Sequence, residues 1–107
     1  MYWPSGLLSQ VGSPGRFVYQ YEMALTRDEF LRLLPVAVDH AEYQIMANAI
    51  SHIGGEWRIT IETKPALRIA LLAMPVLGVT LEITNTTPEK ASRFIKRFLL
   101  GYQRAGG

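Results

Sequence analysis

Residues 16–25 (RFVYQYEMAL) alternate. Phe17, Tyr19, Tyr21, Met23 and Leu25 fall on one side, and Gln20 and Glu22 on the other. Period two with aromatic enrichment predicts a strand with one buried face. The period then changes. Phe30, Leu33, Leu34 and Ala37 recur at helical spacing, behind Thr26-Arg27-Asp28-Glu29. That leading tetrad has the form of a capping box, in which the Thr hydroxyl and the Glu carboxylate each accept from the other residue's amide. Pro35 disfavours a helical Leu34 and removes one donor, so a helix over about residues 27–38 should kink or end near there.

From residue 43 to 84 the pattern returns to strands. Tyr43 to Ala47 precedes Asn48, a turn residue that tolerates positive φ. Ala49 to Ile53 then either continues the same strand past a bulge or folds back as a hairpin. Gly54-Gly55 is a hairpin signal. Trp57, Ile59 and Ile61 alternate with Arg58, Thr60 and Glu62. Lys64-Pro65 reads as the next turn. Leu67 to Ala73 and Val76 to Ile83 read as two further strands separated by Met74-Pro75, because a proline cannot donate to a ladder. Thr87-Pro88 opens a last helix, with a capping hydroxyl ahead of a first-turn proline. That helix should run to about Tyr102, with Gly101 weakening its end.

This order implies an α+β fold: strand, helix, four or five antiparallel strands, helix. Two amphipathic helices would cover one face of a single antiparallel sheet, with Phe30, Leu33, Phe94 and Phe98 over it. The organisation expected is an irregular N-terminal arm (1–15), one domain (16–104) and a flexible C-terminal tail (105–107). Gln20, Glu22, Gln44, Arg58, Thr60, Glu62, Arg68, Thr80 and Glu82, with Ala70 and Leu72 among them, are assigned to the uncovered face.

Composition narrows the chemistry more than the fold. A chain of 107 residues fits one domain. It has no cysteine, which excludes thiol catalysis, cysteine-ligated metals and a disulfide framework. The apolar stretch Ile69–Val79 is broken by Pro75 and Gly78 and is too short to cross a bilayer, so no membrane partner is expected. The first residues lack the cationic start and long apolar run of a signal peptide, and a cytoplasmic protein is expected.

His40 and His52 are the only histidines, and neither has a second histidine at a metal-ligand spacing. His40 suits a helix C-terminus. Ser51 and His52 are strand neighbours that point to opposite faces, so they make no dyad. The nine carboxylates are scattered, and no dinucleotide, P-loop, zincin or nucleophile-elbow motif occurs. No catalytic residue, metal or cofactor is assigned, and the chain is read as non-enzymatic.

Two surfaces remain. On the last helix Lys90, Arg93, Arg97 and Arg104 share a narrow arc with Lys96 beside it, and such a stripe could track phosphates. On the open sheet face Glu22, Arg58, Thr60, Glu62, Arg68 and Glu82 could meet a second copy or another protein, as could an unpaired sheet edge. A homo-oligomer or protein partner is the first expectation and nucleic acid the second. A small enzyme and a Gly-Gly carrier rank lower. The ending Gly106-Gly107 is similar to ubiquitin-like carriers in those two residues, but their hairpin precedes the central helix and here a single strand does.

The strand-helix-strands-helix order resembles the topology of TATA-box-binding-protein-like domains. At residue level, Glu29-Phe30-Leu31-Arg32-Leu33-Leu34-Pro35 and the ending Tyr102-Gln103-Arg104-Ala105-Gly106-Gly107 resemble small uncharacterised bacterial proteins with a similar helix and tail. The likeness spans most of residues 16–107 and implies no activity, so it assigns no functional residue.

Overall fold

The structure, a computed structural model, describes residues 2–4 and 15–106, with side chains described over 15–103. The elements are β1 (Tyr2–Pro4), β2 (Phe17–Met23), α1 (Arg27–Ala37), β3 (Tyr43–Met46), β4 (Ala49–His52), β5 (Trp57–Ile69), β6 (Leu72–Ile83) and α2 (Pro88–Gly106). Among the described residues the strands form one antiparallel sheet in the order β1-β2-β6-β5-β4-β3. The fold is α+β, as the periodicity implies, with four strands between the helices and a short edge strand, β1, ahead of β2.

Local chemistry sets the helix ends. The Thr26 hydroxyl accepts from Glu29 N–H at 3.2 Å, and Thr26 N–H donates to Glu29 Oε1 at 2.9 Å. Both halves of the capping box are therefore made, and these hydrogen bonds hold the Glu29 carboxyl below the ordinary carboxylate range. Pro35 is carried inside α1, which ends two residues later. Asp39 and His40 follow with φ of +56° and +58°, and His40 N–H donates to Pro35 O at 2.7 Å. At the start of α2, Lys90 N–H donates to Thr87 Oγ1 at 3.3 Å, so Thr87 is the cap.

The last helix runs past Tyr102 to Gly106. Gly101 does not stop it, because its role lies in the helix crossing. A Cβ at position 101 would lie 2.8 Å from Ala37 Cα. The missing side chain thus lets α2 touch the backbone of α1.

The core lies between these helices and one sheet face. Met23, Phe30, Leu34, Ile50, Ile59, Leu81 and Phe98 are wholly buried there. Leu33 and Phe94 pack against them, half-buried. The Phe30 and Tyr102 rings stack at 4.8 Å, and Tyr102 O–H donates to Phe30 O at 3.0 Å. Each such side chain contributes roughly 1.5–3 kcal/mol by leaving water.

The structure settles one ambiguity and overturns two boundaries. Residues 43–52 are a hairpin, β3–β4, turning at Ala47-Asn48 with Ala47 at φ +55°. Lys64-Pro65 is not a turn, and Met74-Pro75 does not separate two strands. β5 runs on to Ile69 and β6 begins at Leu72, and the chain reverses at Ala70-Leu71 with Ala70 at φ +55°. Both prolines are tolerated because they fall in the register gap between the pairs Lys64↔Val76 and Leu67↔Met74. Neither is asked for an N–H that a paired residue would supply. The turn at Ala70-Leu71 has none of the residues that usually mark one.

Candidate functional site: the open sheet face and the arm that extends it

On the face away from the helices, pairing aligns side chains in rows. Val18 and Arg58 flank Glu82, Gln20 and Thr60 flank Thr80, and Glu22 and Glu62 flank Gly78. A shallow polar basin of about 500 Å³ forms over the last two rows, bounded by Gln20, Glu22, Thr60, Glu62, Lys64 and Thr80. Gly78 is its floor. A Cβ there would come within 2.7 Å of Lys64 Cε. The bare glycine therefore gives the lysine stem a path across β6, and Nζ meets Glu22 Oε2 at 3.3 Å. In the first row Arg16 pairs with Glu82. Each is a partly exposed ion pair, worth about 0–1 kcal/mol. The basin offers hydrogen-bonding groups of both signs on a rigid floor of three paired strands.

Of the six residues named as a partner surface on this face, five, Glu22, Arg58, Thr60, Glu62 and Glu82, follow the alternation that puts them there. Arg68 does not. The bulge between Lys64 and Leu67 places two residues opposite one and shifts the alternation of β5. Leu67 and Ile69 take over the face that Arg58, Thr60 and Glu62 occupy, and Arg68, paired with Ala73, moves to the other side.

Beyond the bulge, β5 and β6 leave the body as a two-stranded arm. β2 ends at the pair Met23↔Leu77 and β4 at Ala49↔Thr60, so residues 67–74 pair only with each other. One face of the arm is Leu67, Ile69, Leu72 and Met74, which by alternation continues the open sheet face. Leu67, Ile69 and Leu72 are 43%, 55% and 68% exposed, and Leu71 at the tip is fully exposed. From Thr63 to Leu81 the sequence has no carboxylate, and its only cations are Lys64 and Arg68. Sequence reasoning broke this arm at Pro65 and Pro75. The run Leu67-Arg68-Ile69-Ala70-Leu71-Leu72-Ala73-Met74, with one charge in eight residues, was the available signal.

The remaining candidates stay apart from this surface. Lys90, Arg93, Lys96 and Arg97 are all exposed on α2, and Arg97 donates to Asp39 Oδ1 at 2.6 Å. The side chain of Arg104 and the terminal Gly107 lie outside what is described. His52 stacks on Trp57 at 5.2 Å, and its Nδ1 accepts from Glu56 N–H at 3.2 Å. His40 is exposed at the end of α1. Burial pushes the Tyr43 phenol up. Among the described residues no group of three or more His, Asp or Glu could hold a metal ion, and no helix is long and apolar enough to cross a membrane. No protein-family model, curated protein or solved structure matches the chain.

Proposed function

We propose that the chain is a non-enzymatic binding module that self-associates through its open sheet face and the arm continuing that face. The observation behind this reading is the bare apolar surface of Leu67, Ile69, Leu71 and Leu72 at the end of a paired, rigid hairpin. Aliphatic side chains clustered in water mark interaction sites, because each loses free energy until covered. The neighbouring polar basin supplies the hydrogen-bonding rim that a protein interface has around its apolar centre. Light scattering over a micromolar concentration series tests the reading. A mass rising to that of a dimer or higher is expected, and a monomer at every concentration would overturn it.

A second reading takes nucleic acid as the partner, because Lys90, Arg93 and Lys96 are exposed together on α2. Its expected signature is an affinity for mixed-sequence DNA or RNA that falls steeply with salt. An Arg93→Glu/Arg97→Glu double variant that binds as well as the parent would remove it.

A further inference from the structure

At the end of the sheet farthest from the arm, the start of β5, the end of β6 and the first turns of α2 border a cavity of about 340 Å³. That is the lower end of the range for small-molecule pockets, about 300–1,000 Å³. Its apolar lining is Val38, Ala41, Trp57, Ile83 and Phe94. Three rings stand together there. His52 stacks on Trp57 at 5.2 Å, and Trp57 is tilted against Phe94 at 6.2 Å. His52 and Phe94 are only half-buried. A further ring can therefore join the cluster in the offset or tilted contacts that aromatic pairs favour.

Hydrogen bonds fix the rim. Glu56 N–H donates to His52 Nδ1 at 3.2 Å, and Thr84 N–H donates to Glu56 O at 2.9 Å. Thr86 N–H donates to Gly15 O at 3.2 Å. A rim held this way is formed before any ligand arrives, which spares the cost of ordering it. With Nδ1 accepting, the neutral His52 ring carries its proton on Nε2, a donor that a carboxylate can use.

The formal charges in the lining are Lys90 and Glu56. Both are exposed, and among the described residues neither takes part in an ion pair. A ligand with one charge would satisfy one of them and meet the other as a like charge. A ligand with a carboxylate and an ammonium on one carbon answers both.

We propose that this cavity binds a free aromatic amino acid, its ring against Trp57 and Phe94, its carboxylate on Lys90 and its ammonium on Glu56. The site goes beyond the self-association reading and is independent of it, because it lies at the start of β5 and the arm lies at the far end.

Heteronuclear NMR titration of the full chain with L-phenylalanine tests it. Saturable shifts are expected at the Trp57 indole and the Thr84 amide. Phenylpropionate lacks the ammonium, phenethylamine lacks the carboxylate and glycine lacks the ring. Each should bind the parent about tenfold or more weakly than phenylalanine, because each leaves one part of the site unanswered. Lys90→Gln should lose the preference for phenylalanine over phenethylamine. Glu56→Gln should lose the preference over phenylpropionate. Both positions are exposed, so circular dichroism should match the parent. No shift at Trp57 with millimolar phenylalanine would overturn the site. Phenylpropionate or phenethylamine binding the parent as tightly as phenylalanine would overturn the paired charges, and glycine doing so would overturn the aromatic body. Variants that keep both preferences would overturn the roles of Lys90 and Glu56.

Discussion

β5 and β6 pass through two environments without a break. In the body, Trp57, Ile59 and Ile61 on β5 and Val79, Leu81 and Ile83 on β6 lie under the helices, and Ile59 and Leu81 have no exposed surface. A few residues further along the same two strands, Leu71 and Leu72 stand 102% and 68% exposed. The residue chemistry is the same and so is the pairing. The difference is cover. Alternation and β-branching make a strand wherever they occur, but a strand is buried only as far as a helix reaches over it. Here the strands outrun the helices, and the bulge at Lys64/Leu67 marks the limit.

The contrast predicts unequal costs for like substitutions. Phe98→Ala, in the body, should cost about 3–5 kcal/mol by opening a cavity between the helices and the sheet. Leu72→Ala, on the arm, should change monomer stability by less than about 0.5 kcal/mol. Urea unfolding at a concentration where the chain is monomeric compares them directly. Equal losses would mean that the arm is covered within a single chain.

Gly101→Val comes next, at about 1–3 kcal/mol, because the Cβ meets the α1 backbone rather than a movable side chain. Thermal unfolding should register it as a lower midpoint with the sheet unaltered. A neutral result would show that the helix layer slides freely, and would weaken the claim that it sets the limit of burial.

Tyr102→Phe should cost about 1 kcal/mol through the lost bond to Phe30 O. It should also change the alkaline limb. Burial raises the Tyr102 phenol well above its ordinary value of 10.0. The folded state therefore keeps a proton that the unfolded state gives up, so this contribution is complete below about pH 10 and is lost as pH rises beyond it. Absorbance of ionised tyrosine should show one phenol that titrates only as the chain unfolds, and the Phe variant should lack it. Smallest is Gly78→Ala in the basin, expected within about 0.5 kcal/mol, because only the far end of Lys64 must move aside. NMR should show the Lys64–Glu22 pair parted while the fold persists.

Much of the body was legible in the sequence. The alternation of Phe17, Tyr19 and Met23, the capping box at Thr26 and the stripe of Phe94 and Phe98 each carry a short-range rule, and each is obeyed. The arm was not legible, because what makes it is long-range. Pro65 and Pro75 look like strand ends until pairing places them together in one register gap. The turn at Ala70-Leu71 is imposed by the strands it joins. The position of Arg68 was misassigned for the same reason, since a one-residue bulge exchanges the faces of everything after it. Gly101 and Gly78 likewise show their roles only once a neighbouring backbone or lysine stem lies against them.

The β5–β6 hairpin also bears on the order of folding. Its innermost pair, Ile69↔Leu72, joins residues three positions apart, whereas β2 meets β6 only by bringing Met23 to Leu77. Short-range closure takes microseconds, and the distant strand must first close a long loop. The hairpin should therefore be formed in the transition state and β2 should dock after it. Ile61→Val should mainly slow refolding, and Tyr19→Leu should mainly speed unfolding. Stopped-flow chevrons with those two effects reversed would place the nucleus elsewhere. If the order holds, the apolar arm is the earliest ordered surface of the chain, present before the helices have covered the rest.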